Sequence, residues 1–289
     1  KGIDYYGGVA MVGNRLEGSG TRQVPALLDF RKDNKVFLRL RSPSFVIRQE
    51  RMSSARAEVS IYHEGDSIYH PGLSMRYFDD RRELSLMRGD DGLSQSPYMN
   101  TYHNIDMYFE ALYWKLDESE INLQSMKGLN SEGRAIFESS DYYSLARYEK
   151  LQGIDEVNPL DLINSYCRRY GIQEFYLEDY VSFVRKPPEQ VKAVLLRLAN
   201  AGFITYDLER DRIRVKDRLS RYLQARSGRM DHDVITFQST ITALPNASLS
   251  LLDFDLRLRG VPFVYLSDSQ NVVIIPENQE IVMKKDRDF

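Results

Sequence analysis

Along roughly the first 127 residues, apolar and polar side chains alternate with a period of two. Val36, Leu38 and Leu40 alternate with Phe37, Arg39 and Arg41, and Ala57, Val59 and Ile61 alternate with Glu58, Ser60 and Tyr62. Leu84 and Leu86, set against Ser85 and Met87, repeat the pattern. A two-residue period puts successive side chains on opposite faces of an extended chain, so these runs predict half-buried strands. Between them stand Ser42-Pro43, Pro71-Gly72, Asp79-Asp80, Gly89-Asp90-Asp91-Gly92 and Ser96-Pro97. Their fixed or positive φ is turn chemistry. The run Asp106 to Trp114 reads as one more strand, since its neighbour Ile121 to Gln124 alternates.

The stretch 131–157 mixes aromatics with turn residues and reads as a connection containing some strand. At Asn158 the period changes. Asn158 is a good N-cap and Pro159 suits the first helical position; Leu162, Ile163, Tyr166 and Tyr170 recur at helical spacing, and Gly171 ends the run. Leu177 to Val184 predicts a second helix, stopped by Pro187-Pro188. Glu189 to Asn200 predicts a third, stopped by Gly202. Phe203 to Tyr206 and Arg212 to Val215 then predict a hairpin, and Asp217 to Ala225 a last helix. Three helices followed by a hairpin is the order of a winged helix.

From about Asp231 the two-residue period returns, in Leu252 to Leu258, Phe263 to Leu266, Val272 to Ile275 and Glu280 to Met283. The predicted fold class is therefore mostly β with an α insert: a β-solenoid or jelly-roll scaffold interrupted by a winged-helix-like module. The segments are 1–130 and 227–289 for the scaffold, 131–157 for the connection and 158–226 for the module. The N- and C-terminal β segments are expected to share one sheet system, because short strands leave edges that must be covered. The final strands end at Phe289 without a polar cap, so further layers are expected beyond it.

Composition narrows the function classes. The formal net charge of −3 gives no global attraction to nucleic acid. The single cysteine, Cys167, cannot form an internal disulfide. No run reaches the roughly 18 apolar residues of a membrane helix, and the chain opens on Lys1-Gly2-Ile3 without a signal-peptide pattern, as a processed product or a piece of a longer protein would. Nineteen tyrosines stand beside one tryptophan, which suits strand faces that are half buried and half wet.

Candidate catalytic groups are weak on their own terms. Gly8, Gly13, Gly18 and Ser19-Gly20-Thr21 lack the lysine and the following helix of a phosphate loop. His63, His70 and His103, with Glu64, Asp66 and Asp106, have the ligand types of a metal site, but their spacing does not demand one. The carboxylate pairs Asp79-Asp80, Asp90-Asp91 and Asp253/Asp255 read as turn formers and a solvated strand face rather than as a hydrolytic pair. Ser94 and Ser96 sit outside any nucleophile elbow. No catalytic residue, cofactor or metal is expected.

The strongest local signal lies in segment 158–226, which carries 13 Lys and Arg against 9 Asp and Glu. Arg210, Arg212, Arg214 and Lys216 lie on the hairpin, and Lys192 and Arg197 lie on the third helix. These six are the candidate phosphate contacts if the module binds nucleic acid. The third helix argues against that role, because Glu189, Ala193 and Leu196 dilute its outward face. Winged helices also serve as packing and protein-contact modules.

Gly65 to Tyr77, continued by Arg82 to Leu86, resembles the repeat of the lipopolysaccharide-transport jelly-roll family, in which a glycine turn leads into an apolar strand and a charged turn precedes a Leu-x-Leu strand. Ser267 to Ile274 resembles another layer. With Tyr102-His103-Asn104, these phrases are also similar to parts of large Bacteroidota cell-envelope proteins in which a helical insert interrupts such strands. The resemblance implies an open β scaffold in a bacterial envelope or periplasm, non-enzymatic, with other chain segments or envelope proteins as partners and lipid as a candidate ligand. Two alternatives remain: a nucleic-acid-binding regulator in the cytoplasm, and a carbohydrate-binding or glycan-active β protein.

Overall fold

The computed structural model describes residues 2–21, 24–32, 34–89, 92–128, 131–153, 155–240, 244–266 and 271–289. The turn at Asp90-Asp91 and the phrase Ser267 to Gln270 lie outside the described residues.

The first strands are β1 (Gly2–Tyr6), β2 (Gly8–Val12), β3 (Arg15–Ser19), β4 (Ala26–Lys32), β5 (Lys35–Ser42) and β6 (Ser44–Arg48). Two long strands, β7 (Arg51–His63) and β8 (Asp66–Phe78), form the central hairpin. Then come β9 (Glu83–Met87), β10 (Tyr98–Asn100), β11 (Ile105–Tyr108), β12 (Ala111–Lys115) and β13 (Glu120–Gln124). A small separate hairpin, β14 (Lys127–Gly128) and β15 (Ser131–Glu132), precedes β16 (Ala135–Ser139). The helical module follows as α1 (Leu145–Gln152), α2 (Pro159–Tyr170), β17 (Glu174–Tyr176), α3 (Leu177–Val184), α4 (Pro188–Asn200), β18 (Ile204–Asp207), β19 (Arg212–Val215) and α5 (Asp217–Arg226). The chain ends through β20 (Thr236–Ser239), β21 (Ala247–Ser250), β22 (Leu256–Leu258), β23 (Phe263–Tyr265), β24 (Val272–Ile274) and β25 (Ile281–Met283).

Twenty of these strands form one hydrogen-bonded system. Its ladder divides at the β7-β8 hairpin. Residues 38–41 of β5 pair with 58–61 of β7, whereas residues 46–48 of β6 pair with 51–53 of the same strand. On β8, residues 68–69 pair with β10 and 74–78 with β9. The first branch runs β1-β4-β5-β7-β8-β10-β11-β16-β20-β23-β24, antiparallel at every step. The second runs β2-β3-β6-β7-β8-β9-β12-β13-β21-β22-β25, likewise antiparallel. Successive hairpins therefore alternate between branches as the chain advances. The N- and C-terminal segments belong to one system, joined where Leu123 faces Ala247 and Phe137 faces Phe237.

The branches face each other as two layers across a single apolar core. Phe30 of β4 meets Tyr77 of β8 at 5.4 Å between ring centroids, and Phe37 of β5 meets Trp114 of β12 at the same distance. Leu28, Leu38, Leu40, Leu86 and Phe137 are fully buried between them. Each such side chain contributes about 1.5–3 kcal/mol by leaving water, and the edge-to-face rings interlock the layers.

The module interrupts the β16-β20 hairpin and has a core of its own, built from Leu160, Ile163, Tyr180, Leu195, Leu198, Ile213 and Leu219. Asn158 caps α2 by accepting from the Leu160 N–H, and its amide donates to the Tyr148 carbonyl, which ties α1 to α2. Gly171 ends α2 at φ 66°, in the left-handed region that glycine enters without strain. The sheet of the module has the order β17-β19-β18.

Five features differ from the pattern read along the sequence. Pro71-Gly72, read as a turn, lies inside β8, where the register with β7 shifts. Asp106 to Trp114 is two strands, because the chain passes from one layer to the other at Phe109-Glu110. The connection 131–157 contains a paired strand, β16, and the helix α1, whose Tyr148 joins the core of the module, so the module begins before Asn158. In the run Leu252 to Leu258 only the last three residues are strand. Phe254 turns into the core at φ 61° while Leu252 is 81% exposed. Finally, β17 adds a third strand to the predicted two-stranded hairpin.

Candidate functional site

The module lies on the outward face of the first layer. Strand register sets a row across that face: Arg39, Ser60, Tyr69, Met99, Asp106 and Glu138 stand side by side. A period-two reading sends these side chains to solvent. Asp106 and Glu138 are nevertheless buried, 3% and 4% exposed. They are covered by Arg218 of α5, which pairs with Asp106 and donates from Nη2 to Glu138 Oε1 at 3.0 Å. Arg147 of α1 binds the same Glu138 through both carboxylate oxygens, at 2.6 and 2.7 Å. Two carboxylates of the layer thus meet two guanidiniums of the module, with Asp106, Glu138 and Arg218 buried and Arg147 28% exposed. Gly202, at φ 78°, permits this approach: a Cβ there would stand 2.8 Å from Arg218 Nη1 and 3.1 Å from Asp106 Oδ2.

Two further contacts fasten the other side of the module. Arg56 of β7 pairs with Glu209 at the tip of the β18-β19 hairpin. Ser96 Oγ donates to Asn200 Oδ1 at the end of α4, at 3.1 Å. Between these anchors and the Arg218 network lies a cleft of about 1310 Å³. Arg41, Glu58, Tyr69 and Met99 line it from the layer, and Arg210, Arg212, Arg214, Lys216 and Arg221 line it from the module.

The hairpin cations singled out from sequence are thus brought together, on a face turned toward the β layer. Most are matched by carboxylates. Arg212 Nη1 and Arg214 Nε both reach Glu174, at 3.0 and 2.8 Å. Arg210 pairs with Asp207 at 3.1 Å, Arg41 with Glu58 at 3.1 Å, and Arg221 Nε stands 2.9 Å from Asp141. Lys192 of α4 stands 3.6 Å from Asp211, and Arg197 is exposed on α4, away from the cleft walls. Lys216 differs from the others. Its ammonium rests against the Met99 thioether, and no carboxylate pairs with it among the described residues. Burial, with Arg221 nearby, pushes its pKa down to about 8. Burial likewise raises the Glu58 carboxyl, partly offset by Arg41, and raises the Tyr69 phenol.

The remaining candidates are held separately. His70 Nε2 faces the Ser96 carbonyl at 2.9 Å, and burial lowers its pKa to about 3, so it is neutral. His63 stacks on Phe254 at 4.0 Å, and His103 Nδ1 lies 2.8 Å from Asn100 Nδ2. Among the described residues no three His, Cys, Asp or Glu side chains converge as metal ligands. Asp79 accepts from Tyr77, Asp80 faces Arg81, Asp253 accepts from the Asp255 N–H, and Asp255 pairs with Lys284. Cys167 is buried in the module, and burial pushes its thiol up to about 11, which disfavours the reactive thiolate.

Sequence reasoning missed Asp106, Glu138, Arg147 and Arg218 as a group. Nothing in local spacing marks them, because their partners lie up to 112 residues apart. Comparison with family models, with curated proteins and with solved structures finds no match to this chain.

Proposed function

We propose that this protein is a non-enzymatic β scaffold, of the kind expected in a bacterial cell envelope, whose two layers are extended at their ends by further strands. The observation that carries this reading is the pair of free, apolar ends. At one, β1 and β2 have an open edge each among the described residues, with Val9 and Met11 56% and 76% exposed. At the other, β24 and β25 are the outer strands among the described residues, and Val272, Val273 and Ile274 are all exposed. Unpaired edge strands with apolar side chains are templates for additional pairing. The alternation of hairpins between two layers supports a solenoid or jelly-roll reading, since each hairpin buries its inner face only against its neighbours. The interior, filled by cross-layer aromatic pairs, favours a scaffold over a lipid conduit.

The test is self-association. The wild-type chain is expected to associate with rising concentration in sedimentation velocity and to bind a hydrophobic dye, with both reduced in Met11→Lys and Ile274→Lys. A strictly monomeric chain that binds no dye would remove the main support for the scaffold.

The helix and hairpin order of the module suits a winged helix used for packing. Nucleic-acid binding is not favoured, because the hairpin tip is held by Arg56 and the end of α4 by Ser96. A duplex about 20 Å across would need both to be released. Fluorescence titration at low salt should therefore give no submicromolar affinity for duplex DNA, with Arg212→Glu/Arg214→Glu indistinguishable from wild type. Tight binding that is lost in that double variant and falls steeply with salt would instead favour the regulator.

A further inference from the structure

We propose that the cleft between the module and the first β layer binds a phosphate group of a small solute, with Lys216 as its cationic anchor. The inference rests on charge matching inside the cleft and is independent of how the layers are extended. Its volume, about 1310 Å³, accommodates a small organic phosphate. The guanidiniums of its walls stand beside the carboxylates described above. Among the described residues Lys216 alone of the named wall cations has no carboxylate beside it, its neighbours being the Met99 thioether and the cationic Arg221. A thioether sulfur is a weak acceptor and carries no charge to balance an ammonium.

Three further features converge on the same place. Lys216 lines both the large cleft and a smaller pocket of about 290 Å³ behind it, so it forms part of the wall between them. Arg218, one of the cleft-lining residues, has its Nε buried without a hydrogen-bond acceptor, although its two Nη atoms are engaged. A buried donor left without an acceptor costs about 1–3 kcal/mol, so donor capacity stays unmet at a residue of the cleft wall. Lys216 is also the residue preceding α5, and no side chain caps that helix terminus. The dipole of that terminus favours an anion. Asp217 in the first turn opposes this, which is why the lysine rather than the helix end is the anchor. A dianionic tetrahedral group neutralises one ammonium and still offers acceptors to a guanidinium.

The same group occurs free in solution and on lipid headgroups, so the experiment carries both. Isothermal titration with inorganic phosphate and with pyrophosphate is run beside co-sedimentation with phosphatidylglycerol vesicles, phosphatidylcholine vesicles being the control. Binding is expected in wild type and in Lys216→Arg, and a loss of at least about tenfold in Lys216→Met. Binding of the soluble anions identifies a small solute; Lys216-dependent binding confined to the anionic vesicles would move the site to a lipid headgroup and overturn the small-solute proposal. Lys216→Met removes a buried charge and should fold at least as well as wild type, so its loss of binding cannot be ascribed to unfolding. No binding up to about 10 mM, or equal binding by wild type and Lys216→Met, overturns the proposal.

Discussion

Replacing Arg218 with methionine is expected to destabilise the protein by about 3–5 kcal/mol, the usual cost of removing one partner from a buried ion network. Asp106 and Glu138 face each other directly in the register of β11 and β16. Glu138 keeps Arg147 in the variant, but Asp106 loses its guanidinium and remains 4% exposed on its side chain. The unfolding midpoint should fall by roughly 8–15 °C. Arg218→Met/Asp106→Leu should recover at least half the loss, because it removes the stranded charge together with its partner. Thermal and urea unfolding of the two variants check this, and limited proteolysis of the module reports whether it leaves the layer first. A loss under about 1 kcal/mol in the single variant would mean that water reaches the network and that other contacts dock the module.

The second large effect has the opposite sign and depends on pH. Lys216 titrates near 8 in the folded protein against 10.5 unfolded, so below pH 8 the cost of its buried charge is fully present. Between pH 8 and 10.5 the native state gives up the proton first, and stability rises relative to a variant without the amine. Lys216→Met should therefore be more stable than wild type at pH 7 by about 2 kcal/mol, after allowing for the partial exposure of the side chain. The difference should shrink through that window and vanish above it. Parallel urea titrations from pH 6 to 10 measure it. An advantage that is constant across this range would assign the effect to packing against Met99 rather than to charge. Saturating phosphate should narrow the gap at pH 7 by stabilising wild type alone.

The helices were largely legible because their signals are local. Asn158 and Gly171 bound α2 as expected, and α4 begins at Pro188, one residue before the expected Glu189, although Pro188 reads along the sequence as a stop for the helix before it. The strands were legible by period, but their partners were not. Phe137 meets Phe237 across the whole helical insert, and no local feature of either strand specifies that register. The helix α1 stayed hidden because Leu145 and Tyr148 supply little apolar periodicity. The cleft was half legible. Arg210, Arg212, Arg214 and Lys216 were visible as a basic run, but Glu174, which holds two of them, belongs to a strand that the pattern did not show. Asp106 and Glu138 occupy outward positions, where period two equates polar with solvated. That equation fails wherever a second body lies on the sheet.

Each layer has eleven strands and so ten antiparallel steps, an even number, which leaves the two outermost strands of a layer pointing the same way. This parity governs how copies could meet. Translating one copy onto the end of another sets β24 beside β1 in parallel, against the pattern of every other pair in the layer. A two-fold axis instead sets β24 beside its own twin, or β1 beside its own, in antiparallel register. The first arrangement keeps every copy in one orientation, as in a head-to-tail fibre; the second closes at a dimer when one kind of end is used and inverts successive copies when both are. An odd strand number thus favours associations that invert neighbouring copies over head-to-tail stacking, whichever exposed edge is used.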